Sequence, residues 1–399
     1  MAETPHNIRP YIGIFGKRNV GKSSLINILA EQEVAIVSET AGTTTDPVKK
    51  AMEILGLGAV ILLDTAGFDD SGKLGSSRVA KTMEAAAQID LALLLTTNNE
   101  WGPEEEKMMD VLQAYKIPII IVHNKSDIIP SQSHLTQIVK EKYHCDFIDF
   151  STKNPHNLDL LLHAIKKELL AKNVSEKLLF DGLLNNGDTL LLITPIDSEA
   201  PKDRLILPQV LAIRQALDKN CVTIVLKETE VDSFLQTSGI IPALAVTDSQ
   251  LFGKIDKLID KKIPLTGFSV LLARQKGAFD YYLKSTPKIK NLENNDRILI
   301  LESCTHHSTC EDIGREKIPR ALRDFTGKNL IFDIVAGLSP ITRSIEDYAL
   351  VIQCGGCMVT SKQLQNRLNP FIEAGIPVTN YGMVLAFVKG IYERATAMF

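Results

Sequence analysis

The sequence predicts an α/β protein built from strand–helix series in tandem, and three observations point that way. Short apolar runs, such as Tyr11-Ile12-Gly13-Ile14-Phe15 and Ile119-Ile120-Ile121-Val122-His123, alternate with segments of helical periodicity, the pattern of parallel sheets with crossover helices. Several runs end in loops rich in glycine, serine and aspartate, at the strand ends where such sheets hold ligands. The 399 residues, 45% hydrophobic and 23% charged, supply enough apolar material for roughly two or three domains.

The first series opens with Tyr11 to Phe15 as a strand, continues through Gly16-Lys17-Arg18-Asn19-Val20-Gly21-Lys22-Ser23-Ser24, and enters a helix over Ser24 to Gln32. Strand, glycine loop and helix in this order form a phosphate-binding loop. Gly16 and Gly21 let successive backbone N–H groups turn toward phosphate oxygens, and the helix N-terminus adds partial positive charge. In such a loop Lys22 reaches the β- and γ-phosphates and the Ser23 hydroxyl holds Mg²⁺.

The partner loops follow in order. Ala59 to Leu63 is a strand ending at Asp64-Thr65-Ala66-Gly67, where the carboxylate can hold the Mg²⁺ shell and Gly67 N–H can meet a γ-phosphate. Ile119 to His123 ends at Asn124-Lys125-Ser126-Asp127, whose last carboxylate can accept two N–H bonds from a guanine edge. Phe147 to Phe150 ends at Ser151-Thr152-Lys153, placed for a backbone N–H to meet guanine O6. The set resembles the translation-factor-like GTPases, which implies GTP as the nucleotide. It also implies Lys22, Asp64 and Thr44 as catalytic positions, with Thr44 the switch threonine that joins Ser23 on Mg²⁺ and Thr43 as its rival.

Two positions bear on mechanism. Phe68 follows Gly67 where Ras-like enzymes carry a water-orienting glutamine, so unaided hydrolysis should be slow. Asn19 matches a loop position that, in the tRNA-modification and Era-like GTPases this domain resembles, accompanies a K⁺ ion bridging the phosphates. A plain turn-forming role for Asn19 is the other reading.

The net charge of −4 offers no basic footprint for nucleic acid. No apolar stretch approaches the ~20 residues of a membrane span, and the first ten residues show no secretory signal. The expectation is a cytoplasmic protein binding neither nucleic acid nor membrane. The first domain is expected over 1–172, closing with a solvated linker through Lys177.

A second series, 180–285, has strands at Thr189–Thr194, Val222–Leu226 and Ala243–Val246. Its helices are expected at Pro208–Asp218, near Val231–Leu235, at Leu251–Ile259 and at Gly267–Lys276. It holds no phosphate loop, Asp248 and Asp256 read as caps or surface residues, and the domain reads as one for docking or dimerisation. A polar connector, Thr286 to Asn295, leads to a third series over 290–399. Its strands are Arg297–Leu301, Leu330–Val335 and Ala349–Ile352. Its helices are Glu316–Phe325, Ser361–Ala374 broken by Pro370, and a closing helix, Gly382–Ala397.

Four of the six cysteines fall in the third series. Cys304 follows one strand; Cys354 and Cys357 follow another as Cys354-Gly355-Gly356-Cys357. In a parallel sheet those strand ends share one edge, so the three thiols converge. Soft thiolates suit an iron–sulfur cluster or zinc, and free Gly355 and Gly356 N–H groups can bond cluster sulfides. A redox dithiol and a zinc site completed by His306, His307 or Cys310 stand as alternatives, while Cys145 and Cys221 read as core thiols.

Domain order together with Cys304-Thr305-His306 and the distant Cys354-Gly355-Gly356-Cys357 resembles the HydF family, the maturation GTPases of FeFe-hydrogenase. The resemblance implies a 4Fe–4S cluster on Cys304, Cys354 and Cys357 and a homodimer formed through the middle domain. It also implies a scaffold that receives a diiron precursor made with radical-SAM maturases and delivers it to apo FeFe-hydrogenase. Many members have a histidine before the C-x-x-C, where this chain has Gln353. The fourth iron is left to His306 as an exchangeable ligand, to Asp312, to water or to an exogenous group. The alternative is a tRNA-modification or ribosome-assembly GTPase with structural zinc, which its charge disfavours.

Overall fold

The computed structural model describes residues 9–30, 38–40, 48–54, 58–68, 81–82, 84–173, 178–195, 205–303 and 313–399. Backbone contacts divide the chain into Met1–Ser175 and Glu176–Phe399.

The first unit is built on a seven-stranded sheet with strands β1 (Tyr11–Gly16), β2 (Ser38–Thr40), β3 (Val48–Ile54), β4 (Gly58–Asp64), β5 (Leu91–Thr96), β6 (Ile119–His123) and β7 (Asp146–Asp149). Their spatial order is β2-β3-β4-β1-β5-β6-β7. From β4 to β7 all neighbours are parallel, while β2 and β3 pair antiparallel. The sheet is therefore mixed, and β3 and β5 join the four strands legible from their loops. Every residue of β1, β5 and β6 is buried, because both faces are covered. Ile12, Ile14, Leu93 and Leu95 point to the face packed by Leu25, Ile26 and Leu29; Phe15, Leu94 and Ile121 point to the other, against Met108 and Leu112. All loops after the parallel strands thus leave one edge.

The second unit contains two four-stranded parallel sheets. One comprises β8 (Thr189–Ile193), β9 (Val222–Leu226), β10 (Leu244–Thr247) and β11 (Leu265–Gly267), ordered β11-β10-β8-β9. The other comprises β12 (Arg297–Leu301), β13 (Ile331–Val335), β14 (Leu350–Gln353) and β15 (Val378–Asn380), ordered β13-β12-β14-β15. Read from their own first strands, the two orders are the same. The match reaches the sequence: Leu265-Thr266-Gly267-Phe268 corresponds to Val378-Thr379-Asn380-Tyr381, and Lys276-Gly277 to Lys389-Gly390. Even the turn before the first strand repeats, with Asn185 N donating to Asp188 Oδ2 (2.7 Å) and Glu293 N to Asp296 Oδ2 (2.8 Å). The unit is a structural duplication.

The two copies share one core, in which Leu191, Ile193 and Ala245 meet Leu299, Leu301, Val351 and Val378. The polar connector 286–295 keeps most of its residues exposed but is anchored at three positions: Thr286, Ile289 and Leu292 are buried, and Thr286 bonds Thr379. Its apolar residues are spaced three apart and face the core from a short tight turn. Two helix readings also change. Ser361–Glu373 runs unbroken through Pro370, which removes one N–H donor from the ladder while its own carbonyl still accepts from Ala374 N at 3.1 Å. The closing helix is two, Tyr381–Val388 and Tyr392–Thr396, divided at Gly390 with φ +74°, a conformation glycine adopts without penalty.

Candidate functional site

The nucleotide loops meet at the carboxyl edge of the first sheet. Gly21 has φ +99°, and a Cβ there would stand 2.2 Å from Asn124 Nδ2, so only glycine fits. The Lys22 ammonium lies across the curl of the loop, donating to the carbonyls of Gly16 (2.9 Å) and Lys17 (2.7 Å). Ser23 Oγ donates to Asp64 Oδ2 at 2.9 Å, so the two residues expected on Mg²⁺ are in contact. Burial raises the Asp64 carboxyl, opposed by the Ser23 hydrogen bond and by Lys22 and Lys50. Gly67 is buried beside them, and Phe68 is packed among Ala85, Ala86 and Ile89. The position that orients water in Ras-like enzymes therefore belongs to the core here.

Asn124, fully buried, donates to Val20 O (2.7 Å) and accepts from Thr152 N (3.0 Å). Lys125 Nζ donates to Asn19 O at 2.8 Å. Asp127 is exposed, and its Oδ1 accepts from Ser151 Oγ at 2.6 Å, while the same oxygen of Ser151 accepts from Lys153 N (3.2 Å). The phosphate loop and the two base loops are thus one hydrogen-bonded body. Asn19 is exposed with φ +61°, a backbone state that asparagine tolerates. Thr43 and Thr44 lie outside the described residues.

Two supports escaped the sequence reading. His123, fully buried, pairs with Asp149 (2.8 Å) and meets Asn99 N (3.2 Å), bracing the base loop from behind. Glu105, 1% exposed, pairs with Lys17 of the phosphate loop at 3.0 Å. A histidine ending an apolar run and a glutamate in an acidic helical turn carry no motif, so composition could not single them out.

The second edge of interest belongs to the other unit. β12 and β14 are parallel neighbours with Leu301 opposite Gln353, and strand order reverses between them, the switch point where open α/β sheets bind ligands. Ser303 N donates to Cys354 Sγ at 3.0 Å and Ser303 Oγ lies 3.0 Å from the same sulfur. Gln353 Nε2 bonds Ser303 Oγ (2.9 Å) and reaches Cys354 Sγ at 3.5 Å. Gln353 is 1% exposed and its Oε1 has no partner among the described residues. Donors around a sulfur and an orphan buried acceptor fit a polar group seated at this edge. Around it, Arg315 pairs with Glu302 (2.9 Å), and Arg367 donates to Glu302 O (3.2 Å) and to Gly337 O.

Burial pushes the Cys357 thiol up to about 11, with Cys354 adding to the rise and Lys276 opposing it. Cys304, His306, His307, Cys310 and Asp312 lie outside the described residues. Among the described residues no group of three or more His, Cys, Asp or Glu is placed to hold a metal. Cys221 is buried and Cys145 half-buried, and burial pushes the Cys145 thiol up to about 11. Asp248 caps a short turn by accepting from Gln250 N at 3.0 Å. Asp256 instead ties the two sheet copies together through Arg394 at 2.7 Å.

The sheet, the glycine loop with its lysine and serine, and the paired base loops define the P-loop GTPase class. The 50S ribosome-binding GTPase family model matches residues 11–125, the Hydrogen maturase F dimerization domain matches 179–277 and the Hydrogen maturase F tetramerization domain matches 280–398. The chain belongs to the hydrogen maturase F family. It is 38% identical over 178 residues to GTPase Der of Wolinella succinogenes (42% of this chain, 37% of that one). It is 36% identical over 153 residues to tRNA modification GTPase MnmE of Nitrosomonas europaea (38% of this chain, 33% of that one). The chain thus spans about a third of the length of these curated relatives. A solved structure of Aquifex aeolicus Era with GDP and AlF4⁻ aligns at a TM-score of 0.34 and 22% identity, covering 55% of this chain and 93% of that one. No described helix is long and apolar enough to cross a membrane.

Proposed function

We propose that this chain hydrolyses GTP and serves as a scaffold that carries a 4Fe–4S cluster on Cys304, Cys354 and Cys357, with His306 as an exchangeable fourth ligand. In this reading it accepts a diiron precursor made with radical-SAM maturases and hands it to apo FeFe-hydrogenase, working in the cytoplasm as a homodimer. The domain boundaries are those of the sequence reading, 1–172, 180–285 and 290–399.

Lys22 binds the β- and γ-phosphates and Asp127 selects guanine; Ser151, Thr152 and Lys153 close the base pocket. Ser23, Asp64 and Thr44 hold Mg²⁺, which neutralises charge on the phosphates. Gly16, Val20, Gly21, Ser24 and Gly67 form the backbone cradle, with Asn124 and Lys125 locking it to the base loops. With Phe68 in the core, no side chain at that position orients water, so a K⁺ ion held by Asn19 supplies the additional charge.

One observation carries the scaffold reading. Ser303, the residue before Cys304, donates to Cys354 Sγ, at the switch point of a sheet whose family model is that of a hydrogenase maturase. When bound, a cluster there offers an iron whose outer ligand can exchange. Gln353 and Ser303 orient the Cys354 sulfur with their hydrogen bonds. Anaerobic iron and sulfide analysis with EPR, beside activation of apo-hydrogenase, tests the proposal. An iron-free but fully activating protein would end it.

A further inference from the structure

We propose that Lys276 is a positioning residue for the thiolate loop Cys354–Cys357: delivered from the first sheet copy, it clamps that loop's backbone and sets a fixed positive charge beside its sulfurs. The inference rests on reading the loop as the cluster holder. Lys276 ends the helix Phe268–Lys276 that follows β11, and it is 6% exposed. Its ammonium donates to Gly356 O at 3.1 Å and Val359 O at 3.0 Å. The same helix floors the loop, since a Cβ on Gly355 would stand 3.4 Å from Leu272 and 3.7 Å from Ser269.

A buried ammonium is costly unless its surroundings require it, and the duplication supplies an internal control. Lys389 occupies the corresponding position in the second copy, where it is exposed, its Cδ 3.9 Å from the Cβ position of Gly253 in the helix Phe252–Leu258. The architecture tolerates a solvated lysine at this place. Burial with two carbonyl acceptors occurs at the copy that faces Cys354-Gly355-Gly356-Cys357. A fixed cation there lowers the energy of negative charge on the sulfurs, and so favours the more reduced state of any cluster they hold. The cluster site then depends on residues of both copies, and the third domain does not carry it alone.

The test compares the full-length protein with Lys276→Met, which keeps the stem without charge or donors, and with Lys276→Arg, which keeps the charge. Two readouts are taken: alkylation rates of Cys354 and Cys357 in the cluster-free protein, by peptide mass spectrometry, and iron retention against a chelator with midpoint potential in the reconstituted protein. Burial raises the Cys357 thiol more than Lys276 lowers it, so freeing the loop outweighs losing the cation: Lys276→Met should alkylate severalfold faster at Cys357, lose iron roughly tenfold faster and shift to a more negative potential. Lys276→Arg should restore the potential toward that of the unaltered protein even where packing suffers. Unchanged alkylation, iron retention and potential in Lys276→Met would overturn the proposal. If the unaltered protein takes up no iron while Lys276→Met still exposes Cys357, the cluster reading falls and the clamp stands.

Discussion

Asp127 stands exposed with its carboxylate aimed by Ser151, and base choice should hinge on it. Asp127→Asn replaces a charged acceptor worth about 1.5–3 kcal/mol per bond, so preference for GTP over ATP should fall at least tenfold in competitive turnover assays. Lys22→Ala should abolish hydrolysis, because its ammonium, held by the Gly16 and Lys17 carbonyls, is the cation laid across the curl of the phosphate loop. Equal use of ATP and GTP by the unaltered protein would sink the assignment. Asn19 poses a separate question, since its φ of +61° is explained by loop geometry alone. If it also holds K⁺, exchanging K⁺ for Na⁺ should slow turnover markedly and Asn19→Ala should erase the difference. Turnover indifferent to the monovalent ion would leave Asn19 a turn residue.

Among the elements, the outer strands β9 and β13 are the most consequential. Each is the outer strand of its sheet among the described residues, a template for further pairing unless guarded. β9 shows Val222 at 56% and Val225 at 40% exposure, next to Leu217 at 57% on the preceding helix; charged guards are missing from the strand itself. It lies in the stretch matched by the dimerization model. Val222→Lys with Val225→Lys should therefore lower the assembly by one step in sedimentation while leaving the fold intact. An unchanged mass would move the interface elsewhere, with β13 and its half-exposed Ile331 and Ile334 the next edge to charge.

For the second unit as a whole, Arg394 is the strap between the two sheet copies. From the last helix it donates to Asp256 Oδ1 (2.7 Å), Asp260 O (2.6 Å) and Ile263 O (2.9 Å). Removing it takes one of two cations from Asp256, where Lys261 remains at 2.6 Å, and strips a donor from the Asp260 and Ile263 carbonyls, a loss of about 1–3 kcal/mol that chemical denaturation of Arg394→Ala should register. Burial raises Asp256, but bonds and charges from Lys261 and Arg394 outweigh it and hold the carboxyl below its ordinary value. A depressed folded pKa means stability present above the unfolded value and lost as pH falls through the folded one. Denaturation midpoints should therefore drop on acidification below the usual carboxylate range, and Asp256→Asn should flatten that part of the decline.

The cluster reading is tested at the same scale. Cys304→Ser, Cys354→Ser and Cys357→Ser should each lose most iron, His306→Ala should keep iron but alter the EPR line shape, and GTP turnover should survive in all four. Full cluster and full activation in Cys304→Ser would refute the convergence of strand ends.

The nucleotide site was legible from sequence because each of its loops follows a buried apolar run. Short-range chemistry marks the loop, and parallel pairing alone brings Gly16, Asp64, Asn124 and Ser151 to one edge. The approach of Cys354 to the end of β12 followed from the same rule. What only the tertiary structure decided are pairings between residues far apart that carry no motif: Glu105 with Lys17, Arg394 with Asp256, Lys276 under the cysteine loop. The duplication was also hidden, because its copies share strand order and a few turn residues while core positions interchange leucine, isoleucine and valine freely. Apolar burial needs volume and periodicity but not identity, whereas a buried charge needs one partner at one place, and folding alone supplies it.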